Sequence, residues 1–318
     1  MEALFLLGGQ SGAIAAGIVM LFVGAAALLQ ANFMDSPLDW PIRKGDSQNV
    51  WARVPAADEV RRRVLLVGHL DTHRTPWVFT SPQRLAFFRL MTTLAMVGLV
   101  GSGFVYLALA FLVPPPYWPL TLVLVPVYLG VFLLTWQPDT TPYTHGANDN
   151  ASGAAIVMSL AGQLATAPLP GVEVWALCTG CEEVGAHGMR DFLRRRRQEL
   201  RQMLAINLDN VGGQGAGVCY ITTEGMVIPL KPAPELLALA GTVGQEHPEF
   251  NAYAKPFTTL GTDASCLMVN KIPALSFVGL RPDGTLPHWH QASDVFANVD
   301  PQAVETVEAF VMEMLKKM

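Results

Sequence analysis

Apolar and polar positions divide this chain into stretches of two kinds. Three stretches are apolar with no polar face: GAIAAGIVMLFVGAAALLQ (12–30), MTTLAMVGLVGSGFVYLALAFLV (91–113) and PLTLVLVPVYLGVFLLTW (119–136). Each is close to the roughly 20 apolar residues that a helix needs to cross the hydrocarbon core of a bilayer. Only the short, uncharged PPPYW separates the last two, so together they predict a helical hairpin that returns the chain to the side it left. Elsewhere, short apolar runs end in polar groups. This pattern predicts strands at 48–55, 61–72, 172–180, 204–210, 217–223 and 272–279. Helical periodicity marks 151–166, 189–203, 233–245 and 301–317. In the last of these, Val304, Val307, Phe310, Val311 and Met314 share one face, behind Asp300 as N-cap and Pro301 at the first helical position.

Alternating strands and helices predict an α/β fold, a three-layer sandwich with a mostly parallel central mixed sheet. The apolar stretches add about three transmembrane helices. The expected organisation is a transmembrane segment over 1–34 and a polar domain over 43–89 and 137–318. A transmembrane hairpin over 90–136 is inserted within that domain.

Charge reinforces this division. Charged residues make up 15% of the 318, and the net charge is −5. A nucleic-acid partner is therefore not expected. No charge falls between Glu2 and Asp35 or between Arg89 and Asp139, and all 21 Lys and Arg lie within 43–89 or 190–318. Arg43 and Lys44 follow the first apolar stretch, Arg84 and Arg89 precede the second, and Tyr117, Trp118 and Trp136 suit the membrane interface. The positive-inside rule then predicts a multi-pass membrane protein, with the bilayer as a partner and the polar domain in the cytoplasm. The start, MEAL, lacks the basic region of a signal peptide. Four cysteines fit a reducing compartment.

In open α/β sheets, sites gather at the carboxyl ends of strands. Those ends carry His69 and Asp71, then Glu182 and Glu183, then Asp209. GANDNASG (146–153) adds Asp149 and Asn150 at a helix start, and LPHWHQASD (286–294) adds His288 and His290. Singly, each has a bland explanation. A strand-end Asp caps a helix, a lone His packs, and RRRR (194–197) is a solvated helix face. Cys178 and Cys181 lack the second Cys or His pair of a structural zinc site. Imidazoles and carboxylates converging on one sheet edge, however, form the ligand set of a borderline-hard divalent metal.

GHLDTH, GANDNASG, CEEVG, NLDN and HQASD, in this order and strand context, resemble the M28 family of zinc peptidases, which includes two-metal aminopeptidases. The resemblance covers roughly 48–80 and 143–318. It implies the zinc-exopeptidase (phosphorylase/hydrolase-like) fold, two zinc ions per chain and a peptide or aminoacyl substrate. By position it implies His69 and Asp209 on one metal and Glu183 and His290 on the other. Asp149 would bridge the two metals through its two carboxylate oxygens. Asp71 would accept the other N–H of His69, fixing that ring. Glu182 would take a proton from the attacking water and later deliver it to the leaving amine. The family also tends to hold the peptide after the bridging aspartate in cis, which is expected here at Asp149–Asn150.

Some alternatives stay open. His73 and His288 rival the matched histidines as ligands. Asp263, in GTDASC, either lines the substrate pocket or caps the helix that follows. The implied activity is membrane-anchored, metal-dependent release of N-terminal amino acids. The hairpin lies between His69 and Asp149, so the site is expected close to the bilayer. A one-zinc acyltransferase of glutaminyl-cyclase type and a non-catalytic peptidase-like receptor are the alternative functions, and the complete ligand set argues against both.

Overall fold

The computed structural model of the protein describes residues 2–41, 45–112 and 118–318. The chain divides into two compact units, Met1–Lys44 with Pro76–Pro142, and Gly45–Thr75 with Tyr143–Met318.

The first unit is helical. It contains α1 (Glu2–Ala31), α2 (Pro82–Leu112) and α3 (Trp118–Trp136). Helix α1 packs on α2 through Ala13, Ala16 and Met20 against Tyr106 and Ala110. Small residues set the spacing. A Cβ added at Gly17 would lie 2.9 Å from the Gly103 carbonyl oxygen, and one added at Gly103 would lie 3.2 Å from that of Gly17. Such close backbone approach is how helices associate where no water is available to drive apolar surfaces together. Among the described residues, two helices are long and apolar enough to cross a membrane, 9–31 and 82–112, where the sequence predicts about three. The third apolar stretch forms α3, which stays helical through Pro126. Arg43, Lys44 and the turn that includes Tyr117 lie outside the described residues.

The second unit is a seven-stranded mixed sheet with helices on both faces. Its strands are β1 (Val50–Val54), β2 (Arg62–His69), β3 (Val172–Thr179), β4 (Leu204–Asp209), β5 (Cys219–Glu224), β6 (Tyr253–Phe257) and β7 (Ala274–Val278). The order across the sheet is β1-β3-β2-β4-β7-β5-β6. The central pairs β3–β2, β2–β4 and β4–β7 are parallel, whereas β1 and β5 join antiparallel to β3 and β7. The predicted three-layer sandwich is therefore present. Helices α4 (Gly153–Thr166), α6 (Pro234–Glu246) and α8 (Pro301–Lys316) bury Leu160, Leu236, Val307 and Phe310 on one face with Val64, Leu66, Ile206, Leu208 and Phe277 from the strands. Helices α5 (His187–Leu200) and α7 (Asp263–Val269) cover the other face, where Phe192 meets Trp175 edge-on.

The strands and helices read from the sequence are all present, with ends shifted by a few residues. Strand β6 escaped it. Its segment contains Pro256, which lacks an N–H for a ladder and is tolerated because β6 is an edge strand.

Candidate metal centre

Parallel pairing sets the strand ends side by side. His69, the last residue of β2, pairs with Thr179 at the end of β3, and β4 runs beside β2 to end at Asp209. Glu182 and Glu183 stand in the turn just beyond β3. Asp149 comes from the segment that enters α4. Gly68 lets that entry close on β2, since a Cβ there would lie 2.8 Å from the amide nitrogen of Ala154. The Asp149–Asn150 peptide bond is cis, as the resemblance implied.

These residues form two clusters that share one carboxylate. His69 Nε2 lies 3.2 Å from Asp149 Oδ1 and 3.7 Å from Asp209 Oδ1. His290 Nε2 lies 3.2 Å from Asp149 Oδ2 and 3.2 Å from Glu183 Oε2. His69, Asp149, Asp209 and His290 are buried.

The spacing and the donor chemistry fit metal ions. Ligand atoms about 2.0–2.1 Å from a tetrahedral zinc sit roughly 3.3 Å from one another, close to the distances above. Asp149 Oδ2 and Glu183 Oε1 are buried and lie in line with no hydrogen-bond donor, the condition of oxygens that face a cation. Imidazole with carboxylate is a zinc-type ligand set.

Electrostatics agree. Burial alone would lower the pKa of His69, but Asp149, Asp209 and Glu182 outweigh it and hold the pKa well above the usual value. At His290, Glu183 and Asp149 likewise outweigh burial, and the pKa rises to about 9. Burial raises Glu183 to about 7, with the Asp149 charge adding and His290 opposing. Asp149 resists its own burial, because its two imidazole partners hold it far below the carboxylate range. The carboxylates around each imidazole thus favour positive charge at both clusters. Glu182 sits well above its ordinary value through burial, with the charges of Glu183, Asp209 and Asp263 adding and that of His69 opposing.

Residues 136–315 match the model of Peptidase family M28. The chain belongs to that family. By sequence, no curated protein matches it. Solved structures of similar fold include a Zn-dependent exopeptidase from Parabacteroides distasonis ATCC 8503, at TM-score 0.57 and 14% identity, covering 97% of this chain and 98% of that one. An aminopeptidase from Aneurinibacillus sp. strain AM-1 aligns at TM-score 0.52 and 16% identity, over 85% of this chain and 47% of its own. A glutaminyl cyclase from Porphyromonas gingivalis aligns at 0.54 and 16%, over 85% and 77%. At these identities the likeness is one of fold. This chain spans about half the length of the bacterial aminopeptidases it matches.

Within the M28 chain, the predicted residues meet at one site, and Asp71 accepts the His69 N–H through its main chain. His69 Nδ1 donates to the main-chain carbonyl of Asp71 at 3.1 Å, while the Asp71 carboxylate stands 3.7 Å away. That carboxylate is taken up elsewhere. Its oxygens accept the backbone N–H groups of Glu182 at 2.9 Å and Glu183 at 3.1 Å, which clamps the Glu-Glu pair. Of the rivals, His288 turns away to Ser293 Oγ at 2.9 Å, and His73 stacks on His290. Thr262, rather than Asp263, caps α7. Asp263 is buried and accepts from Thr179 Oγ1 at 2.5 Å. Burial, with the charges of Asp209 and Asp71 adding, raises it to about 7.

Sequence reasoning missed the residues that hold the Asp149 segment. Asp294 accepts the N–H of Asn148 at 2.7 Å and that of Asp149 at 3.1 Å, one on each oxygen. Asn150 Oδ1 accepts from Gly153 N and Asn210 N, and Asn148 Oδ1 accepts from Gly212 N. Asp294 was within reach, because it is the last residue of HQASD.

Proposed function

We propose that this chain is a membrane-anchored, two-zinc exopeptidase that releases N-terminal amino acids from peptides. The observation that carries the reading is the split of Asp149: each of its oxygens stands 3.2 Å from a different imidazole, with a second carboxylate beside each ring. His69 and Asp209 would hold one ion, Glu183 and His290 the other, and Asp149 both. When bound, two divalent ions polarise the scissile carbonyl and make a water easier to deprotonate.

The protein's own groups do the rest. Glu182 is the general base: its carboxyl is raised by burial, and so can take the water's proton and return it to the leaving amine. Asp71 positions Glu182 and Glu183 through their amides. Phe257, Leu260, Val278 and Trp289 line the cavity beside the ligands and offer an apolar wall to the substrate side chain. Two apolar helices support anchoring, and the Lys and Arg distribution supports a multi-pass protein with its peptidase domain, 43–89 and 137–318, in the cytoplasm.

Metal analysis and chelator-sensitive hydrolysis of aminoacyl chromogenic substrates by detergent-solubilised protein test this reading. Two zinc ions per chain with chelator-sensitive release are expected. Less than one metal per chain and no such hydrolysis overturn it. One ion together with cyclisation of N-terminal glutamine points instead to the cyclase chemistry.

A further inference from the structure

We propose that His73 is a positioning residue for the second metal: it holds the His290 ring by stacking face to face, without itself ligating the ion. The inference rests on the two-metal reading above. His73 lies just beyond Asp71, and its ring centroid is 3.8 Å from that of His290 with 9° between the planes. By spacing alone His73, Glu183 and His290 form a set that could hold an ion, with ligand atoms all within 4.8 Å. Orientation decides against ligation by His73. An imidazole binds a metal along a lone pair in its own plane. Two nearly parallel rings 3.8 Å apart keep their lone pairs in separate planes, so one ion cannot lie in both. His290 presents its Nε2 to Asp149 Oδ2 and Glu183 Oε2, both at 3.2 Å, and is the ring that faces the metal position.

The His73 ring is itself fixed. Its Nδ1 faces the Arg74 carbonyl at 2.8 Å and must donate, because a carbonyl only accepts. The His73 carbonyl accepts the Thr144 N–H at 2.8 Å, and Arg74 bridges antiparallel to Tyr143. His73 thus sits on a two-stranded clip whose other arm runs on to Asp149. His290 has no strand to orient it and stands in the left-handed region, at φ 53°. The stack ties the plane of this loop-borne ligand to the segment that carries the bridging carboxylate. What the role needs is a flat face; a second nitrogen is dispensable.

Zinc stoichiometry and affinity, measured by chelator competition on the detergent-solubilised full chain, separate these roles. His73→Ala and His73→Asn should keep the first ion and bind the second at least about tenfold more weakly, whereas His73→Phe should stay within about twofold of the unaltered protein. If His73→Phe is as weak as His73→Ala, a nitrogen is required and His73 is a ligand, which overturns the proposal. Unchanged binding of both ions in His73→Ala overturns it as well, and leaves the two-metal reading intact. Fewer than two ions in the unaltered protein overturns both. Should His73→Ala fail to fold, as judged by circular dichroism, the contrast between His73→Phe and His73→Asn separates the same two roles.

Discussion

His69 and Asp209 reach the candidate metal centre from the ends of neighbouring parallel strands, whereas Glu183 and His290 reach it from turns. The strand-borne half takes its geometry from the sheet: pairing with Thr179 of β3 fixes where His69 emerges, and pairing with Val278 of β7 fixes where Asp209 does. The turn-borne half has no ladder. Cys181, ahead of the two glutamates, and His290 adopt φ values of 58° and 53°, which cost a non-glycine residue roughly 1–2 kcal/mol. This half is held by side chains acting on main chain: Asp71 on the amides of Glu182 and Glu183, and Asp294, four residues after His290, on those of Asn148 and Asp149. Secondary structure places one half of the centre, and carboxylates that each accept a pair of adjacent amides place the other.

This contrast orders the expected effects of substitution. Asp149 belongs to both halves, so Asp149→Ala should have the largest effect. Both ions should bind far more weakly, beyond the roughly 10–100-fold of an outer-shell change, and hydrolysis should vanish; metal analysis checks this. Retention of one tight ion would mean that the halves assemble independently. Glu182 belongs to neither half. Glu182→Gln should keep both ions and lower kcat about 100- to 10,000-fold; loss of metal would instead make Glu182 a ligand.

Asp294→Ala strikes the side-chain clamp. It leaves two buried amides without a partner, at about 1–3 kcal/mol each, and should weaken metal binding about tenfold, with denaturant unfolding and zinc titration as the readouts.

The smallest effect falls on the strand side. Glu224 is buried and accepts from Thr262 Oγ1 at 3.0 Å and from Ser276 Oγ at 3.2 Å. Burial, helped by the Asp209 charge, raises it from the ordinary 4.5 to about 7. Between these values the folded chain keeps the proton that the unfolded chain gives up. The group therefore contributes its stability in full below pH 4.5, and that contribution is lost as pH rises through 7. Glu224→Gln should flatten that decline in chelated protein. At about pH 8 it should raise Tm by roughly 2–4 °C per kcal/mol regained, as differential scanning calorimetry would show. An unchanged pH slope would place the titration elsewhere.

The sequence made the strand-borne half plain. An apolar run that ends in a polar residue marks a strand end, and His69 and Asp209 stand at such ends. It also indicated Glu183 and His290, though through their motifs and order, since nothing in the residue types announces a left-handed histidine. Asp71 was expected to accept the His69 N–H and does so through its carbonyl; its carboxylate is also within reach of the turn, and only the fold decides which of the two meets His69. The same holds at α7, where Thr262 and Asp263 are adjacent and either could cap. Side chains that hold main chain across long sequence separations, such as Asp294 on Asn148, leave no local pattern to read.

The clip at His73–Arg74 and Tyr143–Thr144 has a further consequence. It closes the neck of an excursion that runs from residue 76 to residue 142, so the peptidase chain leaves and returns at a single point. The Arg74 guanidinium, 4.4 Å above the centre of the Tyr143 ring, adds to that closure. Loop-closure entropy grows only with the logarithm of length, so carrying this excursion in place of a tight turn costs about 2–3 kcal/mol. The sheet can therefore acquire, exchange or shed whatever lies between residues 76 and 142 for little more than the stability of one buried side chain, which makes the neck a natural splice point that leaves Asp71, His73 and Asp149 in place.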